Sequence, residues 1–528
     1  MKKLKVNLPL VLLLLALLVV VFVRIRLLTV PLERDEGEFA YGGQLMLQGI
    51  PPYQLFYNMK FPGIYAAYAL CMAVFGQSPS GIHLGLLLVN VAGILLLYRL
   101  ARRFLDMPGA AAAAASYALL SMSPIVLGLA AHATHFVVAA ALGGLLLLLR
   151  GEESGRPALF FAGGFMLGLA CLMKQPGAMF GLFGFCLLAA RGALERKQWR
   201  IHGWRIVLYS VGLAAPLVLT AALLWHAGVF GRFWYWAIVY AHAHATQYPW
   251  SAGRLQLADF LQTLPFTADG LFWIVAGLGL ASLAFVKGDS GRKLWMAGFL
   301  VFSAAAVSLS YYFSGHYFIM LLPALCLLAG QAVSAAMRWS NARIAGGLFL
   351  LMWLLALLHF SEVFFVLSPE QVCKRIYHIN PFSECLTIGR HLGEHSARDA
   401  RIAILGSEPE ILFYAHRHSA TGYIYMYDLV AGPTPYAQEM QQEMMTQIKE
   451  ARPEYLVFVK VAASWDLRPD FGRMAGTAMM RWLPQFVKDN YEPAGLVIVR
   501  PQSEFYWEKE EVNRPPSQEP FIGIFKRK

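Results

Sequence analysis

The stretch Phe61-Pro62-Gly63-Ile64-Tyr65-Ala66-Ala67-Tyr68-Ala69-Leu70-Cys71-Met72-Ala73-Val74-Phe75-Gly76-Gln77 decides how the whole chain is threaded. It is one of twelve apolar segments, at about 8–28, 61–77, 81–98, 108–130, 133–149, 158–173, 176–190, 206–228, 264–286, 294–312, 317–337 and 344–366. Each is long enough, or nearly so, to cross a bilayer. Whether 61–77 crosses fixes the side on which everything after it lies. Fifteen basic residues fall in alternate connections: Arg99, Arg102, Arg103, Arg150, Arg156, Arg191, Arg196, Lys197, Arg200, Arg205, Lys287, Arg292, Lys293, Arg338 and Arg343. The other connections after residue 81 hold Lys174, Arg232 and Arg254. Lys2, Lys3 and Lys5 place the N-terminus inside. If 61–77 spans, the fifteen fall outside; if it lies in the outer interface, they fall inside, as the positive-inside rule requires. The segment is short, opens on Phe-Pro-Gly and is rich in Tyr and Ala, so the sequence predicts eleven spans, an inside N-terminus and an outside C-terminus.

Composition agrees with a polytopic membrane protein. The 528 residues are 58% hydrophobic and 14% charged, against about 25% charged in soluble chains. Mean hydropathy is +0.51, and 35 Phe, 23 Tyr and 13 Trp exclude a disordered chain. The net charge of +12 is scattered between apolar runs, which is the pattern of cytoplasmic loops and not of a nucleic-acid-binding stripe. The apolar run Leu8–Val23 behind the N-terminal lysines mimics a secretory signal, but no small-x-small cleavage site follows, so it reads as an uncleaved signal-anchor.

The first outer loop, about 29–80, is predicted to carry two surface-lying helices near 36–48 and 62–76. Residues 1–366 form the transmembrane part, and 367–528 a small α/β domain on the outer face. Its β-like runs are Arg401–Leu405, Tyr455–Val459, Gly495–Val499 and Phe521–Phe525, with helical patterns near 436–450 and 470–488 and a loose end at Pro516–Pro520. Cys71, Cys171, Cys186 and Cys326 fall in apolar stretches and read as small hydrophobes. Cys373 and Cys385, twelve apart in the outer domain, are candidates for a disulfide.

Directly after the first span comes Glu33-Arg34-Asp35-Glu36-Gly37-Glu38-Phe39-Ala40-Tyr41, a dense run of charge in a charge-poor chain. A structural reading makes Asp35 a helix N-cap and Glu38 its capping-box partner. Asp35 and Glu36 are neighbours whose side chains diverge, so they do not flank a glycosidic bond as an acid/base pair. One carboxylate acting as base on an acceptor hydroxyl suits them better.

The Asp35-Glu36 pair, the Gly49-Ile50-Pro51-Pro52-Tyr53 step and Lys60-Phe61-Pro62-Gly63 resemble the GT-C glycosyltransferases. The nearest kinds are the protein O-mannosyltransferase-like enzymes (family 39) and the lipid A aminoarabinose transferases. Gly168–Lys174 with Gln175-Pro176-Gly177, Gly315-His316-Tyr317-Phe318 with Leu322-Pro323-Ala324-Leu325, and Gly406–Tyr423 are similar to later segments of that family. The resemblance implies an inverting transfer of one sugar from a polyprenyl-phosphate donor to a glycan, lipid A or protein acceptor, in a bacterial-type cytoplasmic membrane. It makes Asp35 the base by motif position, with Glu36 beside it. His83 stands where the pattern has an Arg, and His132-Ala133-Thr134-His135 stands where an acidic residue is usual.

A phosphate leaving group departs ionised and needs cations more than a proton. Lys60, Lys174 and Arg34 are the outer-side cations for that role, and His316 either touches the phosphate or caps a helix. Lys174 reads otherwise as a snorkelling helix end. His83, His132, His135 and Tyr53 are candidate donor or acceptor contacts. Trp234 and Trp236, with Tyr235, Tyr240, Tyr248 and Trp250, form either an interfacial aromatic belt or a surface on which a sugar stacks. Neither a P-loop nor a dinucleotide-binding glycine fingerprint is present. No metal site is implied by the residues, although a divalent ion is compatible with them. The competing reading is a transporter or flippase of lipid-linked glycans, which would place ionisable residues at mid-span. A third is a non-catalytic subunit of the same fold.

Overall fold

The computed structural model describes residues 7–247, 249–285, 290–430, 435–465, 476–507, 512, 516 and 519–528. Lys2, Lys3, Lys5, Tyr248, Lys287, the 470–475 part of the expected helix and residues 517–518 lie outside the described residues.

The first span is α1 (Leu8–Arg26), and the first loop folds into α2 (Arg34–Leu47) and α3 (Gly63–Phe75). Then come α4 (Pro79–Ala101), α5 (Met107–Leu120), α6 (Ala133–Ser154), α7 (Pro157–Met173), α8 (Ala178–Leu194) and α9 (Trp199–His226). The aromatic loop forms α10 (Phe230–Trp234), α11 (Ala241–Gln247) and α12 (Trp250–Thr263), ahead of α13 (Ala268–Ser282), α14 (Ser290–Ser308), α15 (Leu322–Trp339) and α16 (Ala342–His359). Helices therefore stand at all eleven expected span positions, and seven of these segments are long and apolar enough to cross a membrane. At 13 residues α3 is about 20 Å long, short of a hydrocarbon core of about 30 Å. It lies against α2 and carries Gly63, whose Cα faces the carbonyl of Leu172 so closely that a Cβ would come within 2.5 Å of it.

The N-cap of α2 differs from the expected one. Glu33, not Asp35, caps the helix: its carboxylate accepts from the Glu36 backbone N–H at 3.0 Å, and Glu36 returns the bond to the Glu33 N–H at 3.1 Å. The capping box is therefore Glu33/Glu36, two residues earlier than the Asp35/Glu38 pair the sequence predicts, and Asp35 is released from that duty.

Ion pairs gather the basic connections at one end of the bundle. Arg103 pairs with Glu153, Arg191 and Arg205 pair with Glu152 at 3.3 and 3.7 Å, and Arg338 pairs with Asp106 at 3.6 Å. His83, near the start of α4, bonds Glu36 of the first loop, whereas Arg99 and Arg102 close the same helix. The 23 residues of α4 separate these two ends by about 35 Å. Within α1, the buried Arg24 is not unpaired. Its guanidinium donates to Asn90 Oδ1 at 2.9 Å and to the Gly128 carbonyl at 3.0 Å, pinning the turn after α5.

After residue 366 the chain forms α17 (Pro369–Tyr377), α18 (Phe382–His395), α19 (Glu410–Ala415), α20 (Tyr427–Val430), α21 (Pro435–Ala451) and α22 (Ala478–Asn490) around one sheet. The strands are β1 (Arg401–Leu405), β2 (His418–Ser419), β3 (Tyr455–Lys460), β4 (Tyr491–Ile498), β5 (Glu504–Trp507) and β6 (Phe521–Arg527), in the order β2-β1-β3-β6-β4-β5. The β2-β1-β3 portion is parallel and the rest antiparallel. The two-residue β2 and the edge strand β5 are the strands without an alternating apolar signal in the sequence. The bundle and this α/β domain share an apolar core: Leu32, Phe39 and Tyr65 of the first loop pack with Ile388, Ile404 and Ile411. Cys373 and Cys385 do not form the expected disulfide; both are buried free thiols.

Candidate functional site

The α/β domain rests on the N-terminus of α2, and a glycine permits it. A Cβ on Gly37 would lie 2.7 Å from the backbone nitrogen of Glu410, so only a hydrogen there lets α19 approach α2. Arg34 completes the joint. Its guanidinium donates to the Ser407 carbonyl at 2.5 Å, to Glu408 Oε1 at 2.6 Å and to Asn380 Oδ1 at 3.2 Å. Arg34, expected at the donor phosphate, is not among the cavity's lining residues and spends its donors on the C-terminal domain.

On the other side of α2, Asp35 faces a cavity of about 570 Å³ between the first loop, the turn after α7, the 309–317 connection and the C-terminal domain. Lys60 Nζ bridges two carboxylates there, Asp35 Oδ1 at 2.7 Å and Glu38 Oε2 at 2.5 Å. Tyr65 donates to the other oxygen of Glu38 at 2.5 Å. The hydroxyl of Tyr425 donates to Asp35 Oδ1 at 3.0 Å. Opposite, Lys174 Nζ lies 3.3 Å from His316 Nε2 and 3.8 Å from the centre of the Tyr317 ring. His316 Nε2 is 3.9 Å from Asp35 Oδ2, and its ring stacks on that of His132 at 4.2 Å. Gln175 donates to the Met59 carbonyl at 2.6 Å, which fixes the Lys174 turn against the Lys60 segment.

The remaining candidates take other places. Glu36 is turned from the cavity and accepts from the Ala131 N–H at 2.6 Å, with His83 Nε2 at 3.0 Å. His83 is thereby held between Glu36 and the Leu28 carbonyl, in the frame of α2. His135 is buried with Nε2 on the Gly128 carbonyl at 3.1 Å. Tyr53 is buried, and its hydroxyl donates to the Lys60 carbonyl at 2.6 Å, positioning the lysine from behind. Trp236 lines the cavity and stacks on Tyr57 at 5.1 Å, whereas Trp234 is 52% exposed and packs on Phe230. Glu36, His83, His135, Tyr53 and Trp234 thus stand outside the cavity wall, because each satisfies a fold contact instead.

Tyr423, Tyr425 and Tyr427 all line the cavity and are not among the expected residues. Their signal is legible in Tyr423-Ile424-Tyr425-Met426-Tyr427: alternation in extended chain puts three tyrosines on one face and the buried Ile424 and Met426 on the other.

Charge is unequally shared in this site. Burial works to raise the Asp35 carboxyl, but Lys60, then His316, His132 and Lys174, outweigh it and hold the carboxyl well below the usual range. Glu38 is raised by burial, with Asp35 adding to the effect against the pull of Lys60. Burial also works against the Lys60 charge, yet Asp35 and Glu38 carry it above the ordinary lysine range. Lys174 has His316 and the Tyr317 ring at hand but no carboxylate in ion-pair contact among the described residues; burial brings it down to about 7, against the pull of Asp35 and with Lys60 assisting. Burial likewise lowers His132 to about 4. One face of Asp35 is a closed ion pair, and the other is a cation whose charge awaits a partner.

Asp35, His132 and His316 place one ligand atom each within 4.8 Å of one another and so could hold a metal ion. Two ammonium groups border that point, Lys60 on Asp35 and Lys174 on His316. A dication there would face both, so the arrangement favours the lysines as the resident positive charge.

A bundle of apolar helices, a charged first loop with two short helices, and an α/β domain closing a cavity over that loop make up a fold that this chain shares with solved membrane glycosyltransferase structures. The dolichyl-phosphate-mannose-protein mannosyltransferase family matches residues 60–225. The undecaprenyl phosphate-alpha-4-amino-4-deoxy-L-arabinose arabinosyl transferase of Pseudomonas aeruginosa UCBPP-PA14 is 28% identical over 372 residues, covering 67% of this chain and 64% of that protein. A second such transferase, from Pseudomonas fluorescens Pf0-1, is 28% identical over 332 residues, covering 59% and 57%. The chain thus matches less than two thirds of these relatives' length. ArnT from Cupriavidus metallidurans bound to undecaprenyl phosphate superposes with a TM-score of 0.56 at 15% identity, covering 98% of this chain and 97% of that one. The oligosaccharyltransferase of Archaeoglobus fulgidus, tethered to an acceptor peptide, gives 0.56 at 14%, covering 98% and 75%.

Proposed function

We propose that the chain is a membrane glycosyltransferase that moves a monosaccharide, with inversion, from a polyprenyl-phosphate donor to an acceptor hydroxyl on the outer face of a bacterial-type cytoplasmic membrane. The observation that carries this reading is Asp35 set between two lysines in one cavity, Lys60 on one side and Lys174 beyond His316 on the other. The relatives' names and the lipid phosphate bound by the Cupriavidus protein support a polyprenyl-phosphate donor.

The chemistry follows from the charges. The donor's phosphodiester enters opposite Asp35 and draws on Lys174 and Lys60. As the lysines turn to phosphate oxygen, Asp35 loses its ion pair and gains proton affinity at the moment a base is required. The acceptor oxygen bonds to the anomeric carbon from the face opposite the phosphate. The carbon–oxygen bond to phosphate breaks, its electron pair leaves on the phosphate, and the acceptor proton passes to Asp35. Lys60 and Lys174 stabilise the departing charge. Trp236, Tyr57 and the three tyrosines supply ring faces for the sugar. The ionisable residues of the cavity, Asp35, Lys60, Lys174 and His316, lie in loops and helix ends and not within the apolar spans, which supports an enzyme over a transporter.

The same reading puts the Arg99–Arg103 end inside and the α/β domain, from about residue 367, outside. The acceptor is a glycan, a lipid A-type lipid or a protein. Mass analysis of membrane lipids and surface glycans from cells with and without the protein tests this. Loss of the protein is expected to leave a polyprenyl-phosphate sugar accumulating and one residue missing from a surface molecule; unchanged lipids and glycans would sink the reading.

A further inference from the structure

Behind Arg34, away from the cavity, lies a second cluster that the transfer reaction does not use. Cys385 of α18, and Glu408 and Glu410 at the start of α19, bring a sulfur and two carboxylates within 4.8 Å of one another. All three residues are fully buried. Glu408 Oε1 is taken by Arg34. Glu408 Oε2 and both oxygens of Glu410 receive no well-formed hydrogen bond from another residue's N–H; what they face is each other, the Cys385 thiol and the backbone N–H of Glu410 itself. Buried carboxylate oxygens are ordinarily paired with donors or cations, and apart from Glu408 Oε1 on Arg34 these lack such partners from other residues.

We infer that Cys385, Glu408 and Glu410 bind a zinc ion that staples α19 to α18 beside the N-terminus of α2. The charge balance is the first argument. A thiolate and two carboxylates carry three negative charges, Arg34 supplies one positive, and a dication makes the buried cluster neutral. The donor set is the second. One thiolate and one oxygen from each carboxylate give three ligand atoms, a mixed sulfur and oxygen set that suits Zn²⁺ with Zn–S of about 2.3 Å and Zn–O of about 2.0–2.2 Å and leaves the fourth tetrahedral position to a water. Calcium and magnesium prefer six or more oxygens and waters and do not select a thiol. The third argument is place. The backbone of Glu410 touches Gly37, and Arg34 precedes Asp35, so the ion would fix the joint from which Asp35 projects.

Without a metal the same cluster reaches neutrality by holding two protons, on Glu410 and on the Cys385 thiol, and that is the alternative the test must decide. Full-length protein purified in detergent with no added metal is analysed for elements. About one zinc per chain is expected, reduced several-fold in Cys385→Ser and in Glu410→Gln but retained in Asp35→Asn and His132→Ala. Protein produced on cobalt should show a thiolate-to-cobalt charge-transfer band, a readout that needs no variant to fold. Folded wild-type protein lacking both zinc and that band would overturn the inference in favour of shared protons. Zinc lost only in Asp35→Asn or His132→Ala would assign it to the other cluster. Neither result bears on the transfer reaction.

Discussion

The hydroxyl of Tyr425 lies 3.0 Å from Oδ1 of Asp35, although 390 positions of sequence separate them. The same hydroxyl reaches the Arg34 carbonyl at 3.2 Å, and the Lys60 ammonium lies 5.3 Å from the tyrosine ring. The C-terminal domain therefore contributes a side chain to the site and does not simply cover it. Under the proposed reaction, Tyr425→Phe removes one charge-assisted hydrogen bond, of about 1.5–3 kcal/mol, while keeping the ring. Turnover is expected to fall roughly tenfold or more with donor KM little changed. An unaltered turnover would reduce Tyr425 to a wall residue.

Asp35 and Glu36, adjacent in sequence, are expected to fail in different ways. Asp35 is not the N-cap, so Asp35→Asn leaves the capping box whole; protein level should hold while the rate drops roughly 10²–10⁴-fold. Glu36 is buried and serves the Glu33 and Ala131 backbone and the His83 ring. Glu36→Gln should lower the melting temperature and yield, from loss of a buried charge-assisted network. Thermal melts in detergent beside single-turnover rates separate the two; a stable, inactive Glu36→Gln protein would return Glu36 to the chemistry.

The sequence carried the helices and the order of the motifs well, because spans are long and apolar and their number is constrained by where arginines fall. Asp35, Lys60, Lys174 and His316 were legible as a group, since charged residues beside a membrane stand out in a chain this apolar. Which carboxylate caps α2 was not legible. Glu33/Glu36 and Asp35/Glu38 share the same spacing, and only the Ala131 N–H and His83 choose between them. The place of Arg34 is hidden for a related reason: its partner Glu408 is 374 positions away, and no local pattern announces it. The histidines follow the same logic, with His132 stacked into the site and His135, three residues on, bonded to the Gly128 carbonyl.

The threading itself can be tested. An enzyme reporter active only outside the membrane should work when fused after Ser368 and fail when fused after Arg103. The ion-paired basic end, with Arg103 on Glu153 and Arg191 on Glu152, faces the cytoplasm in this arrangement. The reverse pattern would mean that α3 spans and that the Asp35 cavity opens inward.

Lys174 makes donor binding dependent on pH. In the free protein, burial brings its ammonium down to about 7, with Lys60 adding repulsion. A bound phosphodiester beside Nζ stabilises the ammonium and raises its pKa, so binding takes up a proton. Below pH 7 Lys174 is already charged and affinity should be nearly flat. Above pH 7 the proton must be supplied, and affinity should fall by up to tenfold per pH unit until the bound-state pKa is reached. Lys60, held charged by Asp35 and Glu38, and His132, held neutral by burial at about 4, contribute no slope in this window. Titration with a polyprenyl-phosphate sugar, whose single charge is constant from about pH 6 to 9, followed by Trp236 fluorescence, measures the effect. Lys174→Met should bind more weakly and lose the pH slope, as methionine offers similar length without charge. A wild-type affinity that stays level from pH 7 to 9, or an equal slope in Lys174→Met, would remove Lys174 from the phosphate.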